Sequence, residues 1–467
     1  MKNSMLFDSL RTLSKQEFRE FGKFLNSPYF NNRSEVSRFY DSIKKYFPEF
    51  NADKIELGRV FSKIYPGKKY NDALIRKVIS LTMQLFQKYI TDIKIKQNRL
   101  QYDLELIEAL KKRKLFNLHN KKFTEFLHYM DNLPETMEVY EYVYKSENEL
   151  RLIYDGLDSQ IKKSSNSLNK IYAYFFAVIL NEQLNHTIEP NVYNVDNAIF
   201  EQIVSFLTDS EYRKMPLINY YFLMIKLRTT GENTYFHELV NFRNSNSAKL
   251  EKEHNYNALV VLIDQCLDNI GKGKPEFRKI MLGLSKMIFQ EDLMNEISTE
   301  PITFTNIVRN SSYLKQFDWT EKFIDKNKEN LHPAEKNSIL NYCRGLIEFE
   351  KGNFAKSLKL LSYLNMKWFN MNNDIKKTIL KCYYELGYIE ELISQIDSYR
   401  HFIGSDNFAG NGMNTGNKKF IKYITRLNKL RININIGEAA ILKSELEHSD
   451  FFYHKEWIIL KLEQLLK

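Results

Sequence analysis

The chain has 467 residues, of which 43% are hydrophobic and 14% aromatic, and this composition excludes an intrinsically disordered protein. Only 16 glycines and 9 prolines are present, too few for the many turns of a β-sandwich or barrel of this length, so helices are favoured. The net charge of +10 comes from the first 100 residues, which hold 20 Lys and Arg against 10 Asp and Glu. The whole chain has 68 Lys and Arg and 58 Asp and Glu, so the residues after position 100 hold 48 of each and carry no net charge.

The first predicted region is a basic, all-helical module over residues 1–97. Its first amphipathic helix, in "LSKQEFREFGKFL", opens with a capping box formed by Ser14 and Glu17, whose side chains accept hydrogen bonds from free amide groups. A second helix is predicted over residues 34–46. The turn "YPGKKYND" leads into a long helix over residues 72–96, whose wide apolar face predicts burial on more than one side.

Residues 98–300 are predicted to form degenerate helical hairpins, because amphipathic segments follow one another with short polar breaks and without a strand pattern. The longest apolar run, "IYAYFFAVIL" at residues 171–180, would rise about 15 Å as a helix. That is roughly half the hydrocarbon thickness of a bilayer. The run therefore predicts a buried core helix, and we expect no membrane partner.

Residues 301–467 contain an internal repeat. The turn in "EKGNFAKSLKLL" aligns with the turn in "ELGYIEELISQI", which places Gly352 over Gly387 and Phe354 over Ile389, both 35 residues apart. Phe317 lies 37 residues before Phe354. Because one helical hairpin cannot bury its apolar stripe alone, this spacing predicts stacked hairpins. The last segment, "KEWIILKLEQLLK", is predicted to be a capping helix.

The repeated unit resembles the tetratricopeptide repeat, which has a period of about 34 residues. The positions that match its pattern are Gly345, Gly352, Phe354, Tyr383 and Gly387, with Pro333 near the usual inter-repeat proline. The departures are a missing Trp near the start of the first helix, Glu348 in place of an aromatic residue, and Ser357 and Leu392 in place of alanines. The resemblance implies an all-α fold, a right-handed α-solenoid of degenerate tetratricopeptide-like helical hairpins that follows the basic N-terminal module.

The chain as a whole also resembles a group of uncharacterised bacterial helical-repeat proteins. These proteins begin with an "LSKxEFxxFxKFLxSPYFN" stretch, contain "YPGKKYND", and end in tetratricopeptide-like hairpins. The resemblance covers nearly the full length and implies an all-helical solenoid. It implies no activity.

The sequence offers no convincing cofactor site. The Gly-rich stretch "GSDNFAGNGMNTGNKK" at residues 404–419 could cradle a phosphate, but no strand precedes it and it lacks a GxxxxGK[ST] motif. We interpret it as an insertion between two hairpins and expect no nucleotide cofactor.

Metal and catalytic sites are equally weakly indicated. The closest metal-binding cluster, in "EHSDFFYH", contains Glu447, His448, Asp450 and His454, but a six-residue spacing does not place the two histidines on one helix face. Cys266, Cys343 and Cys382 lie on apolar helical faces and are predicted to be core residues. Three widely spaced cysteines form no disulfide framework, and the first residues contain no secretory signal, so we expect a cytoplasmic protein. No carboxylate pair can be assigned as acid and base and no nucleophile is indicated, so we expect that the protein is not an enzyme.

One basic cluster is not explained by local stability. In "YPGKKYNDALIRK", Asn71 or Asp72 is expected to cap the long helix, and the basic side chains crowd its N-terminus, where positive charge is unfavourable. A bound anion, either a phosphate or an acidic partner segment, would compensate for them. The alternative is neutralisation by Asp72 and nearby acidic side chains. The residues concerned are Lys68, Lys69, Arg76 and Lys77.

A second basic cluster is interleaved with aromatic residues. The aromatic residues are Tyr29, Phe30, Tyr40, Tyr46 and Phe47, and the basic ones are Arg33, Arg38, Lys44 and Lys45. Such a pattern can follow a nucleic-acid backbone and stack bases. The alternative is that the aromatic side chains belong to the core and the charges to a solvated face.

Two functional hypotheses follow. In the first, the protein is a non-enzymatic interaction scaffold or adaptor, and its solenoid surface holds a protein or peptide partner, by analogy with other helical-repeat proteins. In the second, the N-terminal module over residues 1–97 binds nucleic acid or an acidic segment. The sequence identifies neither the partner nor the oligomeric state.

Overall fold

The computed structural model describes residues 5–50, 55–134, 136–151, 157–188, 198–294, 301–404, 411–433 and 435–466. Over these ranges the chain is all-helical, with no strand, which confirms the predicted all-α class. The chain divides into two compact units. The first comprises Met1–Leu133 and Tyr142–Ile161, and the second comprises Pro134–Glu141 and Lys162–Lys467.

The first unit is built from short helices around one long helix. Its helices are α1 (Met5–Arg11), α2 (Lys15–Leu25), α3 (Ser34–Ile43), α4 (Leu57–Ile64), α5 (Asp72–Gln97), α6 (Arg99–Lys112) and α7 (Phe116–Met130). The next helix, α8 (Met137–Arg151), is divided between the two units.

Helix α2 shows how the sequence determines the packing of the first unit. The predicted capping box is present, because the Ser14 hydroxyl accepts from the Glu17 amide and the Glu17 carboxylate accepts from the Ser14 amide. On the buried face, a Cβ at Gly22 would lie 2.5 Å from the Tyr40 ring, so only glycine lets this ring cross α2. The Tyr40 hydroxyl then donates to the Phe18 carbonyl at 2.9 Å.

The second unit is a succession of helices that pack against their neighbours in sequence. They are α9 (Leu157–Ile188, which begins in the first unit), α10 (Ala198–Thr208), α11 (Pro216–Thr230), α12 (Asn233–Asn246), α13 (Lys252–Gly271), α14 (Phe277–Gln290), α15 (Pro301–Tyr313), α16 (Phe317–Asn327), α17 (Pro333–Glu350), α18 (Phe354–Leu361), α19 (Phe369–Leu386), α20 (Ile389–Gly404), α21 (Asn411–Ile432), α22 (Ile436–Glu447) and α23 (Lys455–Leu465).

The same turn recurs between helices of the second unit. Lys315, Gly352 and Gly387 have positive φ values of 58°, 85° and 78°. At each of them the amide of the following residue donates to a carbonyl five residues earlier, at 2.9 to 3.0 Å, which is the C-terminal motif that favours glycine. The next helices begin two residues later, at the Phe317, Phe354 and Ile389 positions of the predicted spacing.

The pairing of α17 with α18 depends on small residues. A Cβ at Gly345 would lie 2.5 Å from the Leu361 side chain, so the two helices approach more closely than any larger residue would allow. The Ser357 hydroxyl donates to the Gly345 carbonyl at 2.7 Å. Helix α17 also packs beside α15 and α19, so that α15, α17 and α19 lie in one row.

The Gly-rich stretch at residues 404–419 differs from the prediction. Residues 405–410 lie outside the described part of the chain, but residues 411–419 form the first turns of α21 instead of a loop insertion. The physical reason is packing, because Asn417 and Phe420 are buried and outweigh the poor helix propensity of Gly and Asn.

The three cysteines are free and buried. Burial raises the pKa of the Cys266 thiol to about 12 and that of the Cys382 thiol to about 11. It also raises the pKa of the Cys343 thiol. These thiols therefore stay protonated at neutral pH, as the interpretation of small core residues requires.

Candidate functional site

The predicted anion site lies at the N-terminus of α5. The Asn71 side chain accepts from the Leu74 amide at 3.2 Å and is therefore the helix cap. The Asp72 carboxylate lies 2.6 Å from Arg76 Nε, so one of the four basic side chains has an acidic partner, as the alternative explanation expects.

The other three basic side chains of this cluster have no acidic partner in the part of the chain that the structure describes. Lys68, Lys69 and Lys77 are exposed. The Lys68 ammonium lies 5.4 Å from the centre of the Tyr65 ring. Within the described residues, no carboxylate comes within 4.0 Å of these three ammonium groups. A surplus of positive charge therefore remains at the helix N-terminus, and the anion site stays a prediction.

The second predicted cluster is largely satisfied by its own neighbours. Arg38 donates to the Ile64 carbonyl at the C-terminus of α4, at 3.2 Å. Lys44 pairs with Asp41 at 2.7 Å, and Lys45 lies 4.8 Å from the centre of the Tyr46 ring. The last two contacts are local and exposed, so they impose little order.

Most of the aromatic residues in this cluster belong to the core. Tyr40 is buried, and Phe30, Tyr46 and Phe47 pack against the core as half-buried side chains. Phe30 stacks on Phe24 with ring centroids 4.0 Å apart. Only Tyr29, 88% exposed, is available for base stacking. An open surface depression of about 500 Å³ lies nearby, and its lining includes Arg19 and Lys23, which sequence reasoning missed.

The second unit contains a largely buried polar cluster that the sequence did not reveal, in which Tyr342 is fully buried and the side chains of Arg309 and Asp374 are 35% and 15% exposed. Each of the helices α15, α17 and α19 contributes one side chain. Arg309 donates to the Tyr342 hydroxyl at 2.7 Å, and that hydroxyl donates to the Asp374 carboxylate at 2.5 Å. The Arg309 Nε also lies 3.3 Å from Asp374 Oδ2. These bonds join residues that are 32 to 33 positions apart in sequence, and so hold three helices together.

Burial and neighbouring charges set the protonation states of Asp374 and Tyr342. Burial opposes ionisation of Asp374, but Arg309, the Tyr342 hydroxyl and two lysines outweigh it and hold the pKa of the carboxyl below its usual range. Burial raises the pKa of the Tyr342 phenol well above its usual value, so this hydroxyl remains a donor. The cluster therefore contains a fixed carboxylate that accepts a hydrogen bond from Tyr342 and forms an ion pair with Arg309.

Two lysines extend the cluster along α19. Lys377 and Lys381 are one turn apart, and each is only 5% exposed. Burial lowers the pKa of Lys377 to about 8, against the opposing effect of Asp374, and the charges on Lys381 and Arg309 add to the lowering. Burial also lowers the pKa of Lys381. The Lys381 ammonium lies 4.1 Å from the centre of the Phe349 ring.

A histidine from the end of the chain completes the cluster. His454 Nδ1 lies 3.3 Å from Lys381 Nζ, and its Nε2 lies 3.9 Å from Asp374 Oδ1. Burial and the surrounding cations lower the pKa of His454 well below its usual value, so the ring is neutral at neutral pH. Because a lysine ammonium only donates, Nδ1 must accept and the proton is assigned to Nε2, which faces Asp374.

His454 belongs to a segment that we call the strap, residues 450–456, which connects α22 to α23. The strap crosses helices that are far apart in sequence. Four strap residues make these contacts: Phe451 with Gly273, Phe452 with Tyr423, Tyr453 with Gly271, and Glu456 with Tyr313. A Cβ at Gly273 would lie 3.4 Å from Phe451 Cβ, so the strap passes close to the backbone that follows α13.

The two histidines of the weak metal-binding pattern at residues 447–454 have different surroundings. His448 is exposed and its ring contacts the Ser444 carbonyl, whereas His454 faces the interior. Among the described residues, no group of three His, Cys, Asp or Glu side chains is placed to hold a metal ion. Over the same ranges, every helix is too short or too polar to cross a membrane.

The buried cluster had a weak signal in the sequence. In "NNDIKKTILKCYY", polar residues recur every three or four positions on the face that α19 buries, at Asn373, Lys377 and Lys381. The same spacing is typical of exposed charge pairs, so it did not indicate burial. Comparisons with family models, with curated proteins and with solved structures found no match to this chain.

Proposed function

We propose that the protein is a non-enzymatic scaffold or adaptor, a right-handed solenoid of tetratricopeptide-like hairpins that binds an extended segment of a partner protein. One observation carries this proposal. The row formed by α15, α17 and α19 already holds a polypeptide segment, the strap, through side chains of separate helices, Tyr313, Asp374 and Lys381.

Preorganisation supports the same function. The bonds between Arg309, Tyr342 and Asp374 fix the relative positions of three helices before any partner arrives. Surfaces that are ordered in advance lose less conformational entropy on binding. Repeated turns at Lys315, Gly352 and Gly387 support a stacked array, in which successive first helices supply a continuous binding surface.

In this proposal the strap occupies the binding surface until a partner segment replaces it. The test uses the full chain as bait in a lysate of the native host, with and without nuclease. Substitution of Tyr453→Ala together with Glu456→Ala removes the strap's contacts to the α13 end and to Tyr313. Glu438→Gln, at an exposed position of α22, is the matched control.

We expect a protein that survives nuclease treatment and is captured in larger amount by the strap variant than by wild type or the control. Binding of the purified partner should then be tighter for the strap variant. Capture that disappears with nuclease, or that is the same for all three chains, would contradict this function.

Nucleic-acid binding by the first unit is the second candidate. It is favoured by the surplus of ten positive charges in the first 100 residues and by the exposed Lys68, Lys69 and Lys77. Basic side chains that neutralise phosphates release counterions, so such binding weakens steeply with salt. Nuclease-sensitive capture that depends on these three lysines would support this function over the scaffold.

A further inference from the structure

Helix α2 carries a stripe of three basic side chains. Lys15, Arg19 and Lys23 are four positions apart, so with about 3.6 residues per turn they share one face, and all three are exposed. Within the described part of the chain, no carboxylate comes within 4.0 Å of their charged groups. Like charges at this spacing repel one another and destabilise a helix, so local stability does not explain the stripe.

The acidic side chains of α2 lie on a different side of the helix. The Glu17 carboxylate accepts from the Ser14 amide at 2.8 Å, and the Glu20 carboxylate accepts from Gln16 Nε2 at 3.1 Å. Both lie toward α5, because burial and then the charges of Glu20 and Glu17 raise the pKa of Tyr89 to about 12. The Tyr89 hydroxyl also donates to the Glu17 carbonyl at 2.7 Å. The two carboxylates therefore do not neutralise the basic face.

A surface depression of about 500 Å³ adjoins this basic face, between α2 and α3. Gly22 and Tyr40 are part of its lining. Because Gly22 has no side chain, the Tyr40 ring lies directly against α2, and the bond from its hydroxyl to the Phe18 carbonyl holds it there. The ring is thus unable to turn outward and fill the depression, which is therefore a fixed feature of the surface.

The lining of the depression has a surplus of positive charge. Arg19 and Lys23 of the stripe reach it from α2, and Lys44 and Asp41 reach it from the end of α3. The Asp41 carboxylate already pairs with Lys44 at 2.7 Å. Three cations against one carboxylate leave a surplus of two positive charges, both on α2. A concave surface with such a surplus attracts an anionic ligand.

An exposed aromatic ring follows the depression in the chain. Asn26 belongs to the lining, and Tyr29 comes three residues later with 88% of its surface exposed. The Tyr29 ring stands perpendicular to Phe30, with ring centroids 4.9 Å apart, and Phe30 stacks on the buried Phe24. A nucleic-acid base can stack on such a ring, whereas the carboxylates of an acidic peptide cannot.

We infer that the exposed surface of α2 and α3 binds single-stranded nucleic acid. Phosphates of one strand lie against Lys15, Arg19 and Lys23, and a base stacks on Tyr29. A single strand fits better than a duplex, because its unpaired bases offer their faces to an aromatic ring. This inference rests on the second candidate function and assigns it to a surface distinct from the cluster at the N-terminus of α5.

The test measures binding of fluorescently labelled oligouridine and oligothymidine to the full chain by anisotropy over a salt series. Replacement of Lys15, Arg19 and Lys23 by Gln should weaken binding by roughly tenfold or more and make the salt dependence shallower, because fewer counterions are released. Tyr29→Ala should weaken it by roughly fivefold or more at an unchanged salt dependence, because only stacking is lost. The matched control replaces the exposed Lys63, Lys88 and Lys94 of the same unit by Gln and should bind within about twofold of wild type.

Two further ligands and one further variant separate the outcomes. A duplex of the same length and polyglutamate should each bind more weakly than the single strands, and tighter binding of either would overturn the inference. Tighter binding of oligouridine than of oligothymidine would identify the strand as RNA. If wild type bound no nucleic acid, the second candidate function would fail together with this site. If only replacement of Lys68, Lys69 and Lys77 weakened binding, or if the matched control weakened it as much as the stripe variant, the α2 surface alone would be wrong.

Discussion

The two units use the same kinds of charged residue in opposite ways. In the first unit, Arg76 and Lys44 pair with carboxylates three or four positions away on the exposed surface of one helix. In the second unit, Arg309 and Asp374 are 65 positions apart and meet beside a fully buried tyrosine. The contribution of a charged side chain to stability in this chain therefore depends on its burial and on which helices it joins, and not on its residue type.

Exposed and buried ion pairs differ in how much the loss of one partner changes the free energy of unfolding. Exposed ion pairs contribute about 0 to 1 kcal/mol to stability, because solvent and salt screen them and two long side chains must be ordered. A buried pair adds little net stability over an apolar replacement, but removal of one partner costs about 3 to 5 kcal/mol, because the other charge is left buried and unpaired. Single substitutions in each unit should therefore differ in their effect on stability.

The largest effect is expected for Asp374→Asn. This change leaves Lys377, Lys381 and the half-exposed Arg309 without their carboxylate. It should lower the free energy of unfolding by about 2 to 4 kcal/mol, less than for a fully buried pair, because solvent screens part of the Arg309 charge. The matched control is Asp397→Asn, in the same unit, because Asp397 pairs with Arg400 on the exposed surface of α20. Its cost should stay below about 1 kcal/mol. Urea unfolding measures both, and equal losses would show that the buried cluster is no more important than a surface pair.

The second largest effect is expected in the pH dependence of the free energy of unfolding, through Lys377 in the second unit. The pKa of Lys377 is about 8 in the folded chain, against an ordinary value of 10.5, so between these values the unfolded chain binds more protons. The free energy of unfolding should therefore rise from about pH 8 to about pH 10, by at most about 1.4 kcal/mol per pH unit. Urea unfolding at three pH values should show this rise in wild type. If Lys377→Gln showed the same slope, the titration would belong to other groups.

The third largest effect on stability is expected at glycines where two helices pack closely. Gly345→Ala places a methyl group against Leu361 and should cost about 1 to 3 kcal/mol, and Gly22→Ala should behave alike against Tyr40 in the first unit. Gly283, within α14, has open space at its Cβ position. Gly283→Ala should therefore stabilise by about 0.5 to 1 kcal/mol through helix propensity alone. Circular dichroism melting curves of the three variants check the order, and a stabilising Gly345→Ala would contradict the packing.

The smallest stability effect is expected at the surface of the first unit. Replacement of Lys68, Lys69, Arg76 and Lys77 by Gln should change the free energy of unfolding by about 0.5 kcal/mol or less. Binding of short RNA, DNA and acidic peptides at low salt should nevertheless weaken, with a shallower salt dependence. A control with Gln at the exposed Lys359, Lys367, Lys418 and Lys429 removes the same charge elsewhere. If wild type binds none of these ligands, the anion site is wrong.

Local features of the fold could be predicted from sequence because local interactions determine them. The capping box at Ser14, the cap at Asn71 and the start of α5 at Asp72 depend on side chains within a few positions. The turn geometry at Gly352 and Gly387 depends on residues that tolerate a positive φ. The all-helical class followed from the low content of turn-forming residues.

The buried cluster could not be predicted for the opposite reason. Arg309, Tyr342 and Asp374 meet only after three helices have packed, and each alone resembles a solvated residue on an amphipathic helix. The sequence places His454 near His448, but in the fold its contacts are with Asp374 and Lys381 of α19. Tertiary packing also converted the Gly-rich residues 411–419 into helix.

A pair of double-mutant cycles tests the central comparison most directly. One cycle combines Arg309→Gln with Asp374→Asn, and the other combines Arg76→Gln with Asp72→Asn, with the free energy of unfolding measured for every variant. We expect a coupling energy of about 1 to 2 kcal/mol for the largely buried pair, which joins α15 to α19, and about 0.5 kcal/mol or less for the exposed pair within α5. Equal coupling energies in the two cycles would contradict the claim that burial across helices gives the charges of the second unit their separate role.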